Sequence, residues 1–311
     1  MFKIPTVTKN LLIINFLVAL ISLAFGTDVY GDYKLNDVLG LHFFMASDFQ
    51  PWQLVTYMFL HANILSNPTH IIFNMFALWM FGQTVERVWG AKKFLFYYIS
   101  CGIGAGLFQE AAQFASFYIT ASQMPGFEFA LLGKIAEENN AALNSWTTVG
   151  ASGSVFGILL AFGMLFPNER MFVFPLPIPI KAKYFVIGYA AIELVQSLAT
   201  PGDNVAHIAH LGGMLFGFFM IKYWQKHPGK DYDFNSGEKS FEKLKNLFGG
   251  KKQKEMNNGA AVNKHESDWD YNARKQANQE EIDRILDKIR KSGYDSLSVE
   301  EKQKLFDQSN K

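Results

Sequence analysis

The stretch Gly150-Ala151-Ser152-Gly153-Ser154-Val155-Phe156-Gly157 opens a long apolar run that ends near Pro167. Gly153 and Gly157 form a G-x-x-x-G pattern, which lets two membrane helices approach until their backbones touch. Ser152 lies at the mouth of this predicted helix, where a hydroxyl is either a nucleophile or a packing group. The choice between these interpretations depends on which side chains lie opposite Ser152.

The composition separates an apolar body from a polar remainder. Of the 311 residues, 49% are hydrophobic and 18% are charged. Apolar runs dominate as far as Trp224, whereas residues 227–311 are dense in Lys, Glu, Asp, Asn and Gln. The net charge of +1 gives no basic excess, so nothing indicates a nucleic-acid partner. The single cysteine, Cys101, excludes an intramolecular disulfide.

Six apolar segments come close to the roughly 20 residues that span the hydrocarbon of a bilayer. They are Leu11–Phe25, Thr69–Thr84, Phe94–Tyr118, Thr148–Phe166, Tyr184–Ala199 and Val205–Trp224. We predict an all-α polytopic membrane protein in which these segments form one six-helix bundle. The first segment is interpreted as a retained helix, because no small-x-small cleavage site follows it.

The basic residues of the loops predict the orientation of the bundle. Lys3 and Lys9 precede the first helix, the loops after the second and fourth helices are also basic, and the opposite loops are mainly acidic. Both termini are therefore expected in the cytoplasm. A short chain without an organelle presequence is typical of a bacterial plasma (inner) membrane.

The connections and the tail carry further signals. The first outer loop, residues 26–68, is expected to be structured and partly sunk in the membrane interface. Residues 131–143 are expected to form one amphipathic helix, and the prolines of 174–179 exclude a helix and indicate a hinge-like connection. We divide the chain into a membrane domain (1–224), a polar linker (225–267) and a cytoplasmic helical hairpin (268–311).

Two patterns support the hairpin. Its first helix is indicated by an apolar face, and its second helix by the capping-box pair Ser298 and Glu301. The residues of the apolar face are Ile282, Ile285, Leu286 and Ile289. This face requires a partner, which the sequence does not identify.

Polar side chains inside apolar segments are costly in lipid and suggest a functional site. His70 and Asn74 share a face of the second segment, Ser152 opens the fourth, and His210 lies near the start of the sixth. In the predicted topology all three helices enter from the outer side, so these side chains lie at similar depth. Glycines on the fourth and sixth helices allow these two helices to approach closely. They are Gly153, Gly157, Gly213 and Gly217.

These residues suit acyl transfer. A serine hydroxyl becomes a nucleophile when an imidazole takes its proton, and the imidazole later returns that proton to the leaving amine. The oxyanion requires donors, which the first N–H groups of the Ser152 helix, the Asn74 amide and the His70 ring supply if they converge. Phe156, one turn below Ser152, is placed to stack on the imidazole of His210.

Other polar residues receive different interpretations. No acid is found at the depth of His210, so we predict a Ser–His dyad in preference to a triad, and we interpret Glu193 as a helix contact or an interfacial residue. His207 competes as the base, but only His210 is followed by glycines at the third and seventh positions. We expect His207 to line the cavity and Ser154 to be a packing residue.

Together the motifs resemble those of the rhomboid-family intramembrane serine proteases over about Leu11–Trp224. The family's H-x-x-x-N, G-x-S-G and A-H-x-x-G-x-x-x-G motifs are matched, in order, by His70–Asn74, Gly150–Gly153 and Ala209–Gly217. Where the family often has Trp-Arg in its first outer loop, this chain has Trp52-Gln53.

The resemblance implies a bundle with a water-filled cavity open to the outer face. It implies Ser152 as nucleophile and His210 as base, and an oxyanion and substrate site at His70, Asn74, Gly150 and Gly153. Its substrates would be single-span membrane proteins within the lipid bilayer, and no metal or organic cofactor is implied.

Two alternatives stay open at this level. One is a catalytically silent rhomboid-like scaffold that binds membrane clients. The other is a transporter with a metal site formed by His70, His207 and His210, for which no carboxylate or thiolate at that depth completes the ligand set.

Overall fold

The computed structural model describes residues 3–173, 176–199 and 206–227, and five isolated residues nearer the C-terminus: Ile285, Lys288, Leu297, Ser298 and Glu301. The chain divides into two compact units, Met1–Phe241 and Glu242–Lys311. The described part of the first unit is mainly helical and contains every candidate site residue.

The helices of the described ranges follow in chain order. They are α1 (Thr6–Phe25), α2 (Lys34–Leu39), α3 (Gln53–Thr56), α4 (Pro68–Ala77), α5 (Gln83–Trp89), α6 (Ala91–Ser122), α7 (Leu132–Glu138), α8 (Asn140–Asn144), α9 (Ser152–Leu165), α10 (Ala182–Ala199) and α11 (His207–Lys226). Short 3₁₀ turns cover Tyr57–Phe59 and Phe129–Leu131, and a π-helical turn, Leu78–Gly82, joins α4 to α5.

Each of the six predicted apolar segments coincides with helix: α1, α4 with α5, α6, α9, α10 and α11. Within the described residues, α1 meets both a length and a hydropathy criterion for a membrane span, with a mean hydropathy of 1.9. Large apolar side chains also face outward from other helices, among them Phe73 (68% exposed) and Leu198 (77% exposed). An apolar outer surface of this kind is stable against lipid.

The centre of the bundle is formed by α6, α9 and α11, which pack through glycines. A Cβ on Gly213 of α11 would overlap the carbonyl of Gly153 in α9, so these two helices touch backbone to backbone. A Cβ on Gly157 would lie 2.6 Å from the Cys101 sulfur of α6, and one on Gly217 would overlap the Tyr97 hydroxyl. The glycines that the sequence pattern singled out therefore do set helix spacing.

Glu86 fixes the first turn of α1, which has no side-chain cap of its own. One carboxylate oxygen accepts the Val7 N–H (2.9 Å), and the other accepts both the N–H and the hydroxyl of Thr8 (2.7 Å each). A negative group at a helix N-terminus satisfies unpaired N–H groups and complements the helix dipole. This contact ties α1 to α5.

The first loop is structured, as expected, and Gln53 holds it together. The amide oxygen of this buried side chain accepts N–H groups of His42 (3.3 Å) and Gln50 (2.9 Å). Its nitrogen donates to the carbonyls of Val38 (3.3 Å) and Asp48 (2.9 Å). Gln53, which follows Trp52, thus connects four backbone positions of the loop.

The loop also contacts the residues that precede α9. Leu41 and Thr148 exchange both backbone hydrogen bonds, at 3.0 and 2.8 Å, and the Gly150 N–H donates to the Tyr57 carbonyl at 3.0 Å. The Tyr57 hydroxyl donates in turn to the Gly102 carbonyl of α6 (2.6 Å). The position of the loop and that of the residues before Ser152 are therefore coupled.

Two connections differ from the expected structure. The single helix expected over 131–143 is wrong, because the chain leaves helical geometry at Asn139 (φ −105°, ψ 16°), which separates α7 from α8. The proline-rich connection is not helical, as expected, but forms an antiparallel hairpin of β1 (Arg170–Val173) and β2 (Leu176–Lys181), with Arg170 opposite Lys181. Residues 174 and 175 of the expected hinge lie outside the described residues.

Few residues of the second unit are described, but they include the predicted capping box. The Ser298 N–H donates to the Glu301 carboxylate (2.7 Å), and the Glu301 N–H donates to the Ser298 hydroxyl (3.2 Å). Lys288 also contacts the Glu301 carboxylate at 2.8 Å. Of the predicted apolar face, Ile285 is buried, and the other three residues lie outside the described residues.

Candidate active site

Ser152 is the first residue of α9, and this helix has no side-chain cap at its N-terminus. The first backbone bond of the helix runs from the Val155 N–H to the Ala151 carbonyl (3.0 Å). The N–H groups of residues 152, 153 and 154 precede that bond and have no carbonyl partner within the helix. They form a positive pole beside the Ser152 hydroxyl.

Gly150 makes room in front of this helix turn. Its φ is +136°, which is strained for any residue with a side chain, and a Cβ there would lie 3.0 Å from His70 Nε2 and 3.4 Å from Ser152 Oγ. The Nε2 edge of His70 and the Ser152 hydroxyl therefore border the same small space. Because the Gly150 N–H bonds to the Tyr57 carbonyl, Gly150 contributes space here and not a free donor.

The hydrogen bonds of His70 fix its tautomer. The Ala62 N–H donates to Nδ1 of His70 (3.2 Å), so Nδ1 is the acceptor and the neutral ring carries its proton on Nε2. That N–H faces the space beside Ser152. One turn further along α4, the Asn74 amide is buried and donates to the His70 carbonyl (2.8 Å), so the two residues share a face as predicted.

Two contacts hold the His210 ring. Its ring stacks on Phe156 with a centroid distance of 4.3 Å and an interplanar angle of 7°. Its Nδ1 lies 2.8 Å from Oε2 of Glu193. Among the described residues, the Ser152 hydroxyl makes no hydrogen bond to His210. A backbone contact of α9 with α11, at Gly153 and Gly213, directly follows Ser152.

Glu193 is the residue that the sequence analysis misjudged. It is buried (6% exposed) on α10, and its Oε2 also lies 2.6 Å from Nδ1 of His207. The expectation that no acid lies at the depth of His210 is therefore wrong, and Glu193 is not an exposed interfacial residue. It does join two helices, α10 and α11, but it does so through both histidines.

The same three residues are the candidate metal ligands of the described chain. One ligand atom from each of Glu193, His207 and His210 lies within 4.8 Å of the others, so a carboxylate does complete this set, and His70 is not part of it. Two histidines and a carboxylate suit zinc, but zinc bonds of about 2.0–2.1 Å in a tetrahedral arrangement would hold these donors about 3.3 Å apart. The observed 2.6 and 2.8 Å are hydrogen-bond lengths.

Ser154 and His207 are both placed by contacts with other helices or loops. The Ser154 side chain is buried, its hydroxyl lies 3.5 Å from the Met58 sulfur, and it faces α6 at Gly102. These contacts are those of a packing residue. His207 is buried against Glu193 and lies edge-on to His210, with ring centroids 6.1 Å apart.

Comparison with known families gives two matches. The model of the Rhomboid domain matches residues 48–226, and the model of a family of unknown function, DUF6576, matches residues 266–311. The first match contains the site residues described above, and the second contains Ser298 and Glu301.

Individual relatives include bacterial and mitochondrial proteins. Rhomboid protease AarA of Providencia stuartii is 30% identical over 172 residues, which are 53% of this chain and 53% of AarA. Rhomboid protease GluP of Bacillus subtilis is 28% identical over 169 residues (54% of this chain, 25% of GluP). The mitochondrial Rhomboid protein 1 of Saccharomyces cerevisiae is 27% identical over 168 residues (50% and 39%).

These alignments span about half of AarA and less of the other two relatives. The Rhomboid domain match, in contrast, covers more than half of the 311 residues of this chain. The chain therefore belongs to the rhomboid family, whose members are integral membrane proteins.

Proposed function

We propose that this protein is an intramembrane serine endopeptidase in which Ser152 is the nucleophile and His210 the general base. The observation that carries the proposal is the fixed His210 ring, stacked on Phe156 in the helix that begins with Ser152. The relatives named as rhomboid proteases support the same class of reaction.

The reaction follows from the two ring edges of His210. Nδ1 is bound by Glu193, so Nε2 is the nitrogen that takes the Ser152 proton as the hydroxyl attacks a peptide carbonyl. His210 then gives the proton to the leaving amine. It next removes a proton from the water that attacks the acyl-enzyme, and it gives this proton to the Ser152 oxygen as the ester bond breaks.

Hydrogen-bond donors from α9 and α4 stabilise the negative charge on the oxygen of the tetrahedral intermediate. The N–H groups of the first turn of α9 and the Nε2–H of His70 border the space beside Ser152, and the Asn74 amide lies one turn away. Removing one such donor typically lowers kcat about 10²- to 10³-fold. This mechanism requires no metal or organic cofactor.

The substrates of this proposal are single-span membrane proteins cleaved in or near the bilayer. We place the protein in a bacterial plasma membrane with six spans and both termini in the cytoplasm. Basic residues cluster at the N-terminus, around the junction of α5 and α6, and between α9 and the start of α10, and they support this orientation. They are Lys3, Lys9, Arg87, Lys92, Lys93, Arg170, Lys181 and Lys183.

The domain division is part of the proposal: a membrane protease domain (1–224), a linker (225–267) and a cytoplasmic hairpin (268–311). The second family match and the Ser298–Glu301 capping box support a separate C-terminal unit. Its partner stays unidentified.

Cleavage of a single-span model substrate by the purified protein in liposomes tests the function. We expect Ser152→Ala to abolish cleavage, because it removes the nucleophilic hydroxyl, and EDTA to have no effect. Ser197→Ala, which removes an exposed hydroxyl on α10, is the matched control and should cleave normally.

Cleavage that persists in Ser152→Ala, or that EDTA abolishes, would contradict the serine mechanism. A folded wild-type protein that binds the substrate without cleaving it would instead support the silent scaffold.

A further inference from the structure

In the mechanism stated so far Glu193 only occupies Nδ1 of His210, yet it is a buried carboxylate in direct contact with the base. We propose that Glu193 is a positioning residue, which holds His210 in the Nδ1–H tautomer and stabilises the imidazolium formed when Ser152 is deprotonated. This inference rests on the proposed serine protease function and names a further residue for that reaction.

The hydrogen-bond inventory of the cluster supports the tautomer. An ionised carboxylate only accepts hydrogen bonds. Its Oε2 lies 2.6 Å from Nδ1 of His207 and 2.8 Å from Nδ1 of His210, so both rings donate to one oxygen. The neutral His210 ring then carries its proton on Nδ1. Its Nε2 has a lone pair, as the general base requires.

Ring position follows from the same contacts. Stacking on Phe156, at 4.3 Å and 7°, fixes the plane of the His210 ring. The bond to Glu193 fixes the rotation of the ring within that plane. A base that is already oriented loses little entropy on reaching the transition state.

Burial explains why the charge of Glu193 matters. The side chains of Glu193, His207 and His210 are 8%, 7% and 10% exposed. A buried anion needs donors, and two imidazole N–H groups supply them while His210 is neutral. When His210 gains a proton from Ser152, the anion lies 2.8 Å from the new cation, where a low dielectric strengthens the attraction.

The first test compares Glu193→Gln and Glu193→Asp with wild type in the liposome assay. Glutamine keeps the size and one acceptor oxygen but removes the charge. We expect kcat to fall about 10- to 100-fold, as for other supporting partners of a functional histidine, with KM unchanged. Aspartate restores the charge and should recover part of kcat.

Two controls separate this role from a structural one. Glu110→Gln, the same exchange at a buried carboxylate of α6 that binds the Phe44 N–H, should leave kcat within about twofold of wild type. The rate at which a fluorophosphonate probe labels Ser152 should fall with kcat in Glu193→Gln, because labelling needs the base but not the substrate.

A second measurement holds even if Glu193→Gln does not fold. ¹⁵N NMR of histidine-labelled wild type, with His210 assigned through His210→Asn, reports which ring nitrogen carries the proton. We expect Nδ1–H at His210 in wild type, and a mixture of tautomers in any folded Glu193→Gln.

Several outcomes would overturn the positioning role. They are an Nε2–H tautomer at His210 in wild type, a folded Glu193→Gln with wild-type kcat, and activity that depends on zinc bound to the cluster. If wild type cleaves and Ser152→Ala does not, these outcomes reject Glu193 alone. If wild type neither cleaves nor reacts with the probe, the proposed function itself fails.

Discussion

At the scale of single residues, burial changes the chemistry of the histidine next to the site. His61 is 1% exposed and lies edge-on to His70, with ring centroids 5.4 Å apart. Burial, and secondarily the neighbouring His70, lowers the pKa of His61 from 6.5 to about 3. His61 is therefore neutral in the folded protein at physiological pH.

The low pKa of His61 predicts a loss of stability in acid. Between pH 6.5 and 3 the unfolded chain binds a proton at His61 and the folded chain does not. The free energy of unfolding therefore decreases as pH falls through this window, by about 1.4 kcal/mol per pH unit. Replacing His61 with Phe should reduce the difference in the free energy of unfolding between pH 7.5 and pH 5 by about 2 kcal/mol. Thermal unfolding in detergent at the two pH values measures this difference.

The matched control for this prediction is His227, which is only partly buried. His227→Gln should leave the difference in the free energy of unfolding between the two pH values in place, because it keeps the buried His61. Equal pH dependence in His61→Phe and wild type would show that His61 does not limit stability in acid.

Small neighbouring residues and a common predicted depth single out Ser152 and His210 in the sequence, and their catalytic roles stay predictions. The contact of Glu193 with His210 could not be predicted in the same way. Residues 193 and 210 lie on different helices, so no helical period relates them, and the rotation of α10 about its own axis is decided by packing. The sequence signal was a lone carboxylate in an apolar segment, which is compatible with a packing role as well as a catalytic one.

At the scale of elements, the site depends on how closely α9 and α11 approach. The contact of Gly213 with the Gly153 carbonyl leaves no space for a methyl group. Ser152 directly precedes this contact, and His210 lies one turn before Gly213 on α11. A small separation of the helices would therefore move His210 away from Ser152.

Gly213→Ala tests this dependence. We expect the free energy of unfolding to fall by about 1–3 kcal/mol from overpacking, and kcat to fall about 100-fold because a shift near 1 Å misplaces the base. Gly188→Ala on α10 is the control, because a Cβ there meets nothing within 4 Å. It should keep full activity and gain about 0.4–1 kcal/mol. Similar losses in both variants would indicate a general intolerance of helix changes.

Elements with long apolar runs were predictable, and short ones were not. All six apolar segments became helices, because helix formation satisfies every backbone group inside lipid. The break at Asn139 and the pairing of β1 with β2 depend on local backbone geometry and on a partner strand. Hydrophobic periodicity carries neither kind of information.

At the scale of the whole molecule, the chain combines two units with different relatives. The described site residues all belong to Met1–Phe241, within which the Rhomboid domain match falls. The match to DUF6576, residues 266–311, falls within Glu242–Lys311. The residues proposed for catalysis therefore all lie in the first unit.

Deleting residues 268–311 tests this separation. Every contact described for Ser152, His210, Glu193 and His70 lies within residues 57–217, so the truncated protein should keep its nucleophile, base and oxyanion donors. We expect the truncated protein to cleave the single-span model substrate at a rate within about threefold of wild type, the effect expected when no catalytic contact is removed.

Fluorophosphonate labelling at an equal rate would show that the truncated protein is folded in the membrane. Ser152→Ala in the truncated chain should remove both labelling and cleavage. If the truncated protein is labelled normally but no longer cleaves the substrate, the C-terminal unit takes part in substrate delivery. If the truncated protein is folded and inserted but loses both labelling and cleavage, the C-terminal unit supports the active site itself.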